Sequence, residues 1–122
     1  MIISDDAKAL EIIKALSNEY SRKIILAISS RSLPIEEISE SQHIPVSTCY
    51  RRVRELESYG LVKPDQTIIQ ADGKKFVSYR STFTKALISL ESNGLKVDVE
   101  MSNRKQPDKL HNIWSAVRDS GK

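Results

Sequence analysis

The stretch LPIEEISESQHIPVSTCYRRVRELESYGLV, Leu33 to Val62, decides how this chain folds. It reads as two short helices joined by a tight corner. Ile38 on the first, Ile44 at the corner, and Cys49, Val53 and Leu56 on the second supply the apolar contacts. Cys49 to Val53 is a step of four and Val53 to Leu56 a step of three, the spacing of one helical face. The same turns point Ser47, Thr48, Tyr50, Arg51, Arg52 and Glu55 away from that face, and Arg54 adds a further cation. Arginine forks match guanine edges, hydroxyls reach phosphates, and the amino end of a helix favours an anion. The pattern is that of a helix-turn-helix, with segment 45–59 in the major groove of double-stranded DNA.

Charge placement agrees with this reading. Net charge over the 122 residues is +3, too small by itself to imply a nucleic-acid partner. Residues 1–44 hold five Lys/Arg against seven Asp/Glu, residues 45–80 seven against four, and residues 81–122 seven against five. Positive charge therefore gathers on the reading helix and the segment after it, where phosphates would be met. For the three arginines alone, an ordinary solvated helix face is an equal reading.

A family resemblance rests on these residues and their neighbours. ALSNEYSRKIILAIS, Ala15–Ser29, looks like the second-helix entry of ArsR-type winged-helix regulators, with winged-helix proteins of archaeal type a further analogy. Ile38-Ser39, Ile44-Pro45-Val46-Ser47-Thr48-Cys49, Val53-Arg54-Glu55-Leu56 and the closing Tyr59-Gly60-Leu61-Val62 are similar to that family's helix-turn-helix and its lead into a wing. The match runs from Leu10 to Arg80, about 70 of 122 residues. It implies an α+β fold: a winged helix-turn-helix domain over 1–82, then a C-terminal extension over 83–122, a β-hairpin plus a final helix packed on the same domain. It also implies a homodimeric DNA-binding transcriptional regulator. His43 departs from the pattern, since the corner more often carries Gly, and the cysteine-rich metal box of the founding metal sensors is absent.

Outward from the corner, Ser4 can cap a first helix with Asp5 and Asp6 in its first turn. Ala9, Leu10, Ile13 and Leu16 recur at helical spacing, with Ile12 widening the stripe. In the resembled family this helix also serves dimerisation; covering the domain's own core is an equal reading. Asn18 can cap a second helix, apolar on most sides through Ile24, Ile25, Leu26 and Ile28 and so central to the bundle. Ser32-Leu33-Pro34 starts the third helix, Ser39 sits where the resembled family usually has a small residue at the close helix crossing, Pro45 separates helices three and four, and Gly60 ends the fourth.

After Val62 the apolar period changes to two. Asp72-Gly73 in TIIQADGKKFVSY suits a two-residue hairpin loop, pairing Gln70 with Lys75, Ile69 with Phe76 and Ile68 with Val77 in a wing over 66–80. Lys74 and Lys75 at its tip would meet the backbone or the edge of the minor groove. A second hairpin turns about Asn93-Gly94, pairing Leu90 with Val97, Ile88 with Val99, Ala86 with Met101 and Glu91 with Lys96. It would extend the wing sheet or form a partner surface; a helix is the competing reading of its first half. Leu110, Ile113, Trp114 and Val117 form one apolar stripe on a final helix, fit for a dimer interface or for packing on helix one.

Other chemistry is scarce. Converging metal ligands are missing: Cys49 takes a core position, His43 the corner and His111 the polar side of the last helix, so no metal or other cofactor is expected. Arg51 and Arg52 beside Cys49 leave a redox thiolate conceivable. No nucleophile elbow, phosphate loop or carboxylate pair argues for an enzyme, and no effector pocket can be read. A lone cysteine, no apolar run near the roughly 18 residues of a membrane span, and no secretory pattern in MIISDDAKAL place the chain in the cytoplasm. The competing function is a winged helix that docks protein within the transcription machinery and binds DNA weakly and nonspecifically.

Overall fold

The computed structural model describes residues 1–102. The final helix read from the sequence, with Leu110, His111, Ile113, Trp114 and Val117, lies outside the described residues.

Helix α1 spans Asp6–Ser17. Its cap is Asp5, one residue later than expected, whose carboxylate accepts the amides of Ala7 at 3.0 Å and Lys8 at 3.4 Å. The buried line is Ala9, Ile12 and Ala15, while Leu10 is exposed and Ile13 and Leu16 are half-buried at the core's margin. Ile12 and the alanines three residues to either side of it therefore carry the core face, in place of Leu10, Ile13 and Leu16. Helix α2, Glu19–Ala27, is capped as expected by Asn18, whose side chain accepts the Ser21 amide at 3.1 Å. Ile24, Ile25 and Ile28 are buried, but Leu26 is 71% exposed, so α2 has an outward face and is not central on all sides.

Helices α3, Ile35–Gln42, and α4, Val46–Ser58, form the corner. His43 holds φ 55° and ψ 46°, the left-handed geometry in which Gly is the easier residue. Ser39 clasps the turn: its hydroxyl donates to the Ile44 carbonyl at 2.5 Å and its carbonyl accepts the Ile44 amide at 3.0 Å. Ile38, Cys49, Val53 and Leu56 are fully buried, and Ile44 nearly so. At the far end Gly60, φ +76°, closes α4 with two reverse bonds, Gly60 amide to Glu57 carbonyl and Leu61 amide to Leu56 carbonyl.

The next hairpin joins β3, Val62–Ile69, to β4, Lys75–Ser81, with the short strand β2, Leu33–Pro34, on the other side of β4. Its register differs from the expected one. Ile69 pairs with Lys75, Ile68 with Phe76 and Thr67 with Val77. The hairpin loop is longer than the expected two residues: the Gly73 amide reaches the Gln70 carbonyl and the Gln70 amide the Lys74 carbonyl, each at 2.9 Å. Gly73, φ +86°, takes the left-handed position that closes the turn. A one-residue slip exchanges the faces of the strand. The register shifts again between Pro64 and Thr67, where the Ser78 hydroxyl accepts the Gln66 amide at 3.1 Å and donates to the Gln66 carbonyl at 3.2 Å. Proline offers the ladder no donor, so a bulge held by a buried serine is the local solution.

Strands β5, Phe83–Glu91, and β6, Gly94–Met101, form the second hairpin and exclude a helix in its first half. Here too the register is corrected: Ile88 pairs with Val97, Ala86 with Val99 and Leu90 with Leu95, and Ser89 rather than Glu91 opposes Lys96. The loop is Ser92-Asn93, because Glu91 pairs with Gly94. This slip is two residues, so each side chain keeps its expected face. Rather than extending the β3–β4 sheet, the hairpin builds its own, taking as third strand β1, Ile2–Ile3, on the far side of β6. The Met1 amine donates to the Val99 carbonyl at 2.6 Å, and Asp6 Oδ1 accepts the Leu95 amide at 2.8 Å. Val97 and Val99 are fully buried and complete one core with the helices.

Candidate nucleic-acid interface

The buried face of α4 leaves Ser47, Tyr50, Arg51 and Arg54 exposed and Thr48 and Arg52 outside the core. Pro45, at the N-cap, contributes no side-chain bond to the first turn. The leading amides of a helix have no intrahelical partner, so this end is suited to a phosphate. Arg51 and Arg54 have no ion pair among the described residues, where the pairs are Lys23–Glu19 and Arg52–Glu55.

The six polar side chains expected on this face are not equivalent. Arg52 lies along the helix, with Nη1 3.5 Å from Glu55 Oε1 and its Nε buried without a partner. It is therefore less available than its neighbours, a correction to an all-outward reading. Tyr50 turns toward α3, where its hydroxyl donates to Glu36. That hydrogen bond, then burial, raises the phenol above its ordinary value and keeps it a donor. Ser47, Arg51 and Arg54 are exposed and have no side-chain hydrogen bond or ion pair among the described residues.

Lys74 and Lys75 are both exposed at the tip of β3–β4, as expected. Sequence reasoning missed the other end of this hairpin. Lys63 on β3 stands directly across from Arg80 on β4, and neither has an acidic partner among the described residues. Like charges directly opposite destabilise a ladder, so this pair holds positive charge where folding would not select it. The pairing depends on the bulge after Pro64, and spacing along the chain carried no signal for that.

Cys49 is sealed on the inner face, its thiol directed at the Ile35 carbonyl at 3.8 Å. Burial, and secondarily Glu36, pushes it up to about 11. The redox thiolate is thereby corrected: Arg51 faces outward, Arg52 is paired with Glu55, and the charge that acts on the sulfur is an acid. Among the described residues no group of three or more His, Cys, Asp or Glu is placed to hold a metal ion. No helix among them is long and apolar enough to cross a membrane.

Residues 17–63 match the family model described as winged helix-turn-helix DNA-binding, which spans α2, α3, α4 and the start of β3. The fold is a winged helix-turn-helix. The winged helix is similar to NolR from Sinorhizobium fredii, at 13% identity and TM-score 0.50, over 93% of this chain and 83% of that one. It also resembles HlyU from Vibrio cholerae N16961, at 26% identity and TM-score 0.49, over 64% of this chain and 78% of that one. The transcriptional regulator HlyU from Vibrio vulnificus CMCP6 is similar at 25% identity and TM-score 0.47, over 62% of this chain and 72% of that one. No curated protein matches the chain.

Proposed function

We propose that this chain is a cytoplasmic, sequence-specific transcriptional regulator of the ArsR type, without the metal box, that binds double-stranded DNA as a homodimer. Helix α4 enters the major groove, with Ser47 and Thr48 at the phosphates near its amino end and Arg51 and Arg54 at base edges or the facing strand. The wing lies on the backbone or minor groove through Lys74 and Lys75, and Lys63 and Arg80 extend that contact toward its base. The observation that carries this reading is the outer face of α4: two exposed guanidinium groups without acidic partners among the described residues, on a helix whose opposite face is fully buried.

The test is selection from random duplex DNA followed by binding over a range of salt. A recovered two-fold site, bound with affinity that falls steeply as salt rises, is the expected result. Selection that recovers no preferred sequence would contradict it. The exposed apolar side chains of β5 favour a second reading, a winged helix that docks a protein of the transcription machinery. In that case DNA binding is weak and indifferent to sequence.

A further inference from the structure

Strand β5 is an edge: β6 lies on one side of it, and no described strand lies on the other. Natural edge strands are usually short, bulged, charged or covered, because an open row of amides and carbonyls recruits another strand. This one runs nine residues and exposes Leu87 by 55%, Ile88 by 54% and Leu90 by 85%.

The direction of its backbone groups follows from bonds elsewhere in the sheet. Val99 spends its amide and carbonyl on Met1, and Leu95 gives its amide to Asp6, so the odd-numbered residues of β6 face away from β5. By the alternation of an antiparallel ladder, Asp98, Lys96 and Gly94 then bond to Leu87, Ser89 and Glu91. The amides and carbonyls of Ala86, Ile88 and Leu90 are left pointing to the open edge.

We propose that β5 is the dimer surface: two copies of this chain join antiparallel along it, with Ile88 on the two-fold axis, making one continuous six-stranded sheet. On the face of Ile88 and at the charged ends, the side chains of β5 are self-complementary in that register. Ile88 meets Ile88 of the partner subunit, Ala86 meets Leu90 of the partner subunit, and Lys85 stands opposite Glu91 of the partner subunit, twice by symmetry. Ile88, Ala86 and Leu90 are the residues whose backbone groups face outward, so the same axis satisfies the hydrogen bonds and the charges together. The homodimer belongs to the function proposed above; the choice of this edge does not depend on DNA.

Solution mass and cross-linking of the full chain test it. Wild type should have twice the 13.8 kDa chain mass. Lys85→Glu and Glu91→Lys, which place like charges opposite each other, should each raise the dimer dissociation constant by roughly tenfold or more. The double variant carrying both substitutions should restore the dimer, which a loss of folding would not do. Ile88→Cys should form a disulfide-linked dimer on mild oxidation, since directly opposed Cα atoms at about 5.5 Å are within disulfide reach. Leu26→Cys, on the outward face of α2 and more exposed than Ile88, should not. A monomeric wild type overturns the homodimer itself. A dimer indifferent to both charge variants, a swap that fails to restore it, or an Ile88→Cys chain that does not cross-link overturns the assignment to β5 and leaves DNA reading to its own test.

Discussion

Cys49 offers a direct probe of how firmly α4 is seated. Its side chain is fully buried between α3 and the core, and its thiol is raised from an ordinary 9.0 to about 11. At pH 8 an ordinary thiol of that kind is about one-tenth ionised, whereas Cys49 is about one-thousandth ionised, roughly a hundredfold less nucleophile. An aromatic disulfide reagent should therefore modify the native chain at least about a hundredfold more slowly than the denatured chain, and exclusion of the reagent adds to that. The same shift links stability to pH. The folded state holds the proton more tightly than the unfolded one, so the contribution is fully present below about pH 9. It is lost as pH rises from about 9 toward 11. Two units correspond to roughly 3 kcal/mol at the upper end. Denaturant unfolding of wild type and Cys49→Ala at pH 7, 9 and 10.5 checks this: wild type should lose more stability above pH 9 than the variant, whatever their difference at pH 7. Native modification at the denatured rate, or parallel pH profiles for the two proteins, would refute the sealed inner face.

Three further substitutions test backbone geometry. Alanine at Gly94 would place a Cβ 2.6 Å from Asp6 Oδ1 at φ +128°, so Gly94→Ala should destabilise by roughly 1–3 kcal/mol in chemical denaturation. Asp6→Ala should relieve part of that cost in a double-mutant cycle. At Gly60, φ +76°, a Cβ would meet nothing within 4 Å, so Gly60→Ala should cost only the left-handed penalty, about 1–2 kcal/mol by the same denaturation. His43→Gly should move stability the other way, by up to about 1 kcal/mol, because His43 already sits in left-handed geometry.

The helix-turn-helix was legible because one helical period accounts for Cys49, Val53 and Leu56, and because Pro45 and Gly60 punctuate its ends. Both hairpins were legible as hairpins from their Asp-Gly and Asn-Gly pairs. Their registers were not. A glycine can close the loop, as Gly73 does, or open the following strand, as Gly94 does, and the dipeptide alone does not choose. Strand β1 was hidden because Ile2 and Ile3 are too few to show a period, and its partner β6 lies at the far end of the described chain. Along α4, exposure could be inferred from helical phase. That Arg52 would pair with Glu55 and Tyr50 bond to Glu36 depended on α3 and on rotamers that phase does not specify.

The central claim is that the outward cations of α4 enter a DNA duplex. Arg51→Ala combined with Arg54→Ala tests it most directly, measured as binding to the selected site across salt concentrations. Neither arginine has an ion pair among the described residues, so the thermal unfolding midpoint should stay close to that of wild type. Affinity should fall by roughly 1–3 kcal/mol for each arginine that reads a base edge, and the salt slope should shrink by about 0.9 for each arginine that neutralises a phosphate. Undiminished affinity with an unchanged slope, in a variant that folds normally, would contradict it.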